Sequence, residues 1–186
     1  MTIKELIEQL NRIKDRVQSN PKQNYSWLYE KEFQQEYSIG NIKNLAEHEL
    51  DIQALIRYLG SFRDHLKNEV KSLGKNPQIV EAKVKKDKTL CIIIDLDNWL
   101  KHGELKRSRS GLFPKLERPG ITAEQKDIEY ITIQGNKIHS QLKDTNLIKP
   151  STLVLSNNGV ELGKAEDIAL KAIDSWLIIC QEFVLL

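Results

Sequence analysis

The stretch Thr89 to Leu112, TLCIIIDLDNWLKHGELKRSRSGL, constrains the chain most, because its most apolar run passes directly into its densest basic cluster. The first part must be buried in whatever core forms, and the second must stay at the surface. Upstream, Asn76-Pro77 marks a helix start, with Asn able to cap free N–H groups and Pro preset for the first turn; Gly103 after His102 is a left-handed C-cap. The spacing therefore predicts one helix from Asn76 to His102. On it Val80, Val84, Cys91, Ile94 and Asn98 share a face, and Leu90, Ile93, Leu96 and Leu100 fill the adjoining one. Asp95, Asn98 and His102 fall at i, i+3 and i+7, so one stripe carries a carboxylate, an amide and an imidazole. Asp97 and Lys101 form the neighbouring i, i+4 pair. Polar groups set into an apolar helix cost free energy unless satisfied, so these are either hydrogen-bonded across a bundle or kept for function.

The same stretch also reads as a strand. LCIIID is short and rich in β-branched residues, and D-L-D-N would then place Asp95 and Asp97 at a strand's C-terminal end, a common magnesium-binding position. In that form it resembles the first motif of haloacid-dehalogenase-like phosphatases and the metal-binding Asp of NYN-type nucleases, with Trp99 where the phosphatases carry Thr or Val. That resemblance implies a magnesium-dependent phosphatase or nuclease. It also requires alternating strands and helices, whereas the residues before Thr89 read as long helices.

Those helices are defined by their stripes. Thr2 and Glu5 make a capping box ahead of Ile3, Leu6, Ile7, Leu10, Ile13 and Val17, and this first helix ends near Ser19, before Pro21. From about Glu47, residues Ile52, Leu55, Ile56, Leu59, Phe62, Leu66, Val70 and Leu73 line one face until Gly74 closes the helix. A short connection then sets it antiparallel to the Asn76 helix, with His102 toward the Glu47 end and His65 farther down. Residues 24–44 need burial for Trp27, Leu28, Phe33, Tyr37, Ile39 and Ile42, but Gly40 and mixed spacing leave short helix and ordered loop both open.

After Gly103 the periodicity stops, and Glu104 to Gly120 reads as a long surface loop. Ile128–Gln134 and Lys137–Leu142, about a Gly135-Asn136 turn, predict one hairpin; Thr152–Ser156 and Val160–Leu162, about Asn157-Asn158-Gly159, predict another. Ala165 to Phe183 is a closing helix with Ile168, Ala172, Trp176, Ile179 and Phe183 on one side. The expected fold is mainly α: one domain over 1–186, with a helical bundle (1–103), a basic loop (104–127), a small antiparallel β-hairpin element (128–163) and the closing helix (164–186).

Charge is concentrated rather than spread. The net charge is +2, yet residues 101–118 hold six Lys or Arg against Glu104 and Glu117, a local +4 that leaves the remainder at −2. Cys91 and Cys180 both lie in apolar helical patterns, as buried free thiols would, no Cys-x-x-Cys or His-rich spacing is present, and no cofactor is expected. No apolar run approaches the ~18 residues of a membrane span, and the N-terminus lacks a leader pattern, so the expected compartment is the cytoplasm, without a membrane partner.

Asp95-Leu96-Asp97-Asn98-Trp99-Leu100-Lys101-His102, at the end of a core helix in a bundle, resembles the signature helix of HEPN domains. That motif is an Arg, commonly followed by Asn or another polar residue, then a His four to six positions after the Arg. Asn98 and His102 match its second and last positions, and Asp97 stands where the Arg belongs. The resemblance covers about Glu47 to His102. It implies a dimeric helical bundle from a family of metal-independent RNases, binding modules and neutralising partners in toxin–antitoxin or defence systems. His102 would inherit the catalytic or base-contacting role, Asn98 an orienting one, and Asp97 the place of the charge that stabilises the phosphorane.

The basic loop supplies cations that could replace the Arg. Lys101, Lys106, Arg107 and Arg109, interleaved with Ser108 and Ser110, are candidate phosphate ligands, and Leu112 and Phe113 could stack on a base. Three readings follow. The first is a HEPN-like protein that acts by binding itself as a homodimer, a protein partner, or RNA or a nucleotide. The second is a metal-independent RNase using His102, and the third, needing the strand, is the magnesium enzyme of Asp95 and Asp97.

Overall fold

Eight consecutive residues, Leu90 to Asp97, are buried, and they lie in a helix. A helix covered all round must sit at the centre of its bundle, which is where the apolar run places it. The computed structural model describes residues 2–18, 23–30, 34–42, 45–121, 128–134, 137–142 and 150–184. Among them the helices are α1 (Ile3–Gln18), α2 (Leu45–Ser72), α3 (Gln78–Lys86), α4 (Lys88–His102) and α5 (Ala165–Val184). The strands are β1 (Gln23–Glu30), β2 (Gln34–Ile42), β3 (Lys115–Leu116), β4 (Gly120–Ile121), β5 (Ile128–Gln134), β6 (Lys137–Leu142), β7 (Pro150–Ser151), β8 (Leu153–Leu155) and β9 (Glu161–Lys164). The fold is mainly α, with a small three-stranded antiparallel sheet before the C-terminal helix.

The chain divides into two compact units, one of residues 1–18, 49–118 and 152–186 and one of residues 19–48 and 119–151. In the first, α1, α2, α4 and α5 share a core of Leu6, Leu10, Ile56, Leu59, Phe62, Leu66, Leu90, Ile93, Leu96, Ile173 and Trp176. The Phe62 and Trp176 rings lie 5.1 Å apart, and Trp176 Nε1 donates to Leu59 O at 3.2 Å, so the indole is packed and its polar atom satisfied. The sheet runs β3-β8-β9, and β9 feeds α5 without a break. The second unit holds a four-stranded sheet ordered β1-β2-β6-β5, with β2 and β6 parallel, and the β4-β7 pair.

Helix ends follow the capping logic. Thr2 and Glu5 exchange hydrogen bonds (2.7 and 3.3 Å), Asn76 Oδ1 accepts from Gln78 N at 3.0 Å, and Gly74 (φ 72°) and Gly103 (φ 75°) close α2 and α4 in the left-handed region. Helices α2 and α4 run antiparallel, with Gly60 against Asp97 and Arg57 Nη2 donating to Leu100 O at 3.2 Å. Both free thiols are buried, Cys91 and Cys180.

Four expectations are corrected. The helix predicted from Asn76 to His102 is two: Asp87 is extended (φ −102°, ψ 111°), its N–H goes to Val84 O, and its side chain caps α4 by accepting from Leu90 N at 3.0 Å. An Asp side chain offers the backbone that alternative to continuing a helix. The described residues of the segment 24–44, expected as helix or loop, are 24–30 and 34–42, and they lie instead in the antiparallel strands β1 and β2; Phe33 and the side-chain burial of Trp27, Leu28, Tyr37, Ile39 and Ile42 lie outside the described residues. The two C-terminal hairpins do not share a sheet: β5/β6 pairs with β2, and β8/β9 with β3, while the Gly135-Asn136 turn lies outside the described residues. The strand reading of Leu90 to Asp95 fails because that segment is helix, buried by neighbouring helices rather than by flanking strands.

Candidate functional site

Helix α4 emerges from the core over its last turn, where the chain reverses at Gly103 and returns as the basic loop. The return is held first by Asp95. Asp95 is completely buried, and its carboxylate accepts four hydrogen bonds, all from that loop. Oδ1 takes Arg109 N at 2.8 Å, and Oδ2 takes Ser108 Oγ at 2.6 Å, Ser110 N at 2.9 Å and Ser110 Oγ at 2.7 Å. The hydroxyls accept in turn: Ser108 Oγ from Phe113 N and Ser110 Oγ from Leu112 N, each at 3.2 Å. Phe113 adopts a left-handed backbone (φ 49°) to make its bond. Burying a carboxylate this deeply is tolerated only when its lone pairs are filled, and here two amides and two hydroxyls fill them.

Arg109 secures the loop a second time. Its guanidinium meets Glu81 of α3, which also faces Arg63 Nε and Lys67 Nζ, each at 3.8 Å. Desolvation works to raise the Glu81 carboxyl, but the Arg109 hydrogen bond and charge, with Arg63 and Lys67, outweigh it and hold it below its ordinary value. The same balance lowers Asp64: burial opposes, and the Arg63 hydrogen bond, Arg63, Lys67 and Lys101 prevail. Arg109 is thus a tether rather than a free cation.

Between the end of α4 and the tethered loop lies an open cleft of about 510 Å³, lined by Asn98, His102, Glu104, Leu105, Lys106 and Arg107. Of the residues singled out from the sequence, Asn98, His102, Lys106 and Arg107 come together here. His102, Lys106 and Arg107 are exposed, so their polar ends are free to meet a ligand. The other three do not join them. Asp97 is only 3% exposed, pairs with Lys101 Nζ at 2.6 Å, packs against Gly60, and leaves Oδ1 buried without a hydrogen-bond partner among the described residues. Lys101 spends its charge on that pair, and Arg109 on Glu81.

Asp95 and Asp97 therefore diverge, one toward the loop and one toward α2. Side chains two residues apart on a helix point to different sides, so the pair does not form the joint site that the strand reading required. Among the described residues no group of three or more His, Cys, Asp or Glu is placed to hold a metal ion, and no helix is long and apolar enough to cross a membrane.

Sequence reasoning missed Glu81 and Gly60. A Gly inside an otherwise regular helical stripe was the available signal for close helix contact at Gly60. Nothing in the spacing links Glu81 to a loop 28 residues away. Comparison of the chain with profiles of protein families, with curated proteins and with solved structures finds no match.

Proposed function

We propose that this protein acts by binding a phosphate-bearing ligand, a single-stranded RNA or a nucleotide, in the cleft at the end of α4. The observation that carries the reading is the convergence of exposed Lys106 and Arg107 with Asn98 and His102 around one open space. Lys106 offers a compact ammonium and Arg107 a planar fork that matches phosphate, while the Asn98 amide can hydrogen-bond a sugar or base edge. Glu104 opposes them, so the cleft suits one or two phosphates rather than an extended duplex. The HEPN resemblance supports the same reading, with a role in a toxin–antitoxin or defence system and self-association as its further implications.

Binding of a short fluorescent oligoribonucleotide, followed by polarisation against salt, tests this. Each phosphate neutralised on a single strand adds about −0.7 to the slope of log affinity against log salt, so two contacts give about −1.4. Arg107→Ala should remove roughly half of that slope, whereas Lys85→Ala with Lys86→Ala, on α3, should leave it unchanged. Wild-type protein that does not bind at low salt refutes the proposal.

A second reading, metal-independent RNA cleavage by His102, rests on the imidazole lining the same cleft as two cations. His102 would move protons while Lys106 and Arg107 stabilise the phosphorane. Asp97, where the family's Arg belongs, is turned into the bundle and neutralised by Lys101, so it does not repel phosphate in the cleft. Cleavage that survives EDTA and is lost in His102→Ala is the expected signature; no cleavage by wild-type protein excludes it.

A further inference from the structure

We infer that Asp95 is the positioning residue of the cleft: its carboxylate occupies an anion-binding nest formed by Ser108, Arg109 and Ser110, and by doing so holds Lys106 and Arg107 in place. The inference rests on the binding reading of the cleft and deepens it. Two successive amide N–H groups and two hydroxyls converging on one carboxylate make the kind of concavity that binds free anions. Here the chain supplies the anion itself. All four donors come from the loop and all four end on one side chain, so burying Asp95 and ordering the loop are a single event.

The consequence reaches the ligand through the backbone. Lys106 and Arg107 immediately precede the anchored Ser108, and neither makes a side-chain hydrogen bond or ion pair among the described contacts. Their placement is inherited from the anchor. A free loop would have to be ordered by the ligand, at the expense of affinity; an anchored one presents both cations beforehand. Occupation of the nest by Asp95 also means that an incoming phosphate meets Lys106 and Arg107 rather than Ser108 and Ser110.

Asp95→Asn is the test, because it keeps the volume but replaces one carboxylate oxygen with an NH2 group that cannot accept from the loop donors. Two readouts are needed: the rate of tryptic cleavage after Lys106 and Arg107, and the affinity and salt slope for a fluorescent oligoribonucleotide. Ile93→Val, a core truncation elsewhere on α4, controls for lost stability alone. The expected result is faster cleavage at those two bonds, about tenfold weaker binding and a shallower salt slope in Asp95→Asn, with neither change in Ile93→Val.

If Asp95→Asn does not fold, Ser108→Ala with Ser110→Ala keeps the carboxylate and its two amide donors, and should shift both readouts in the same direction by less. Unchanged cleavage overturns the anchor. Faster cleavage with unchanged affinity overturns the positioning role. Wild-type protein that binds no oligoribonucleotide refutes the function of the cleft, while the tryptic comparison still decides whether Asp95 holds the loop.

Discussion

Gly60→Ala carries the sharpest stability prediction. Gly60 is buried in the middle of α2, where it faces α4, and a Cβ built there lies 2.6 Å from Asp97 Cγ and Oδ2 and closer still to Asp97 Cβ. Carbon atoms pack at about 3.5–4.0 Å, so the helices would have to separate by about an ångström or Asp97 would have to move. Neither is cheap: Leu90 to Asp97 are buried on all sides, and displacing Asp97 breaks its 2.6 Å bond to Lys101. Against this, Ala is favoured over Gly in a helix interior by about 1 kcal/mol. Overpacking costs about 1–3 kcal/mol or more, and a disturbed buried carboxylate adds about 1–3 kcal/mol. The net loss should be about 2–3 kcal/mol. Urea unfolding followed by circular dichroism measures it. The same substitution in an Asp97→Gly background removes the three atoms nearest to the new methyl, so there Gly60→Ala should stabilise by about 1 kcal/mol. A neutral or stabilising effect in the wild-type background, or the same loss in both backgrounds, refutes the close-approach argument.

Three further expectations follow from the structure. Asp97→Arg, which would introduce the Arg of the HEPN motif, should abolish cooperative unfolding by circular dichroism, since a guanidinium at a 3% exposed position against Gly60 costs upwards of about 4 kcal/mol; a variant that unfolds cooperatively contradicts this. Glu81 titrates below its ordinary value when folded, so its stabilisation is complete above the unfolded pKa and is lost as pH falls through the folded one. Glu81→Gln should therefore flatten the acid side of the stability profile, and superimposable profiles would rule that out. Burial pushes the Cys180 thiol up to about 12 and raises Cys91 as well, so iodoacetamide at pH 8 should label neither in native protein and both in urea; rapid native labelling of Cys180 would contradict its burial.

The sequence by itself determined the elements whose causes are local. The Thr2–Glu5 box, the apolar stripes of α1 from Ile3 to Ile13, α2 from Ile52 to Val70 and α5 from Ile168 to Phe183, and the glycines at 74 and 103 each act within a turn or two and are realised where the spacing puts them, whereas Leu73, expected on the α2 stripe, lies past the helix end and is half exposed. It also determined that the apolar run would be central and that Asn98 and His102 would share a stripe. Tertiary structure decided the rest. Residues 24–30 and 34–42 are strands that pair with each other and, through β2, with β6 far along the chain, a partner that no local propensity encodes. Asp87 divides the predicted helix by capping α4, and the two parts differ in burial, α3 burying only Val80 and Val84 and α4 a continuous run. The site divides along the same line. The residue types were legible, but which of them remain free was not: Asp95 takes Ser108 and Ser110, Glu81 takes Arg109, and Asp97 takes Lys101, leaving Lys106 and Arg107 facing His102. Opposite charges close in sequence do not fix who pairs with whom, since that depends on which side chains the packed helices bury and which loop donors can reach them.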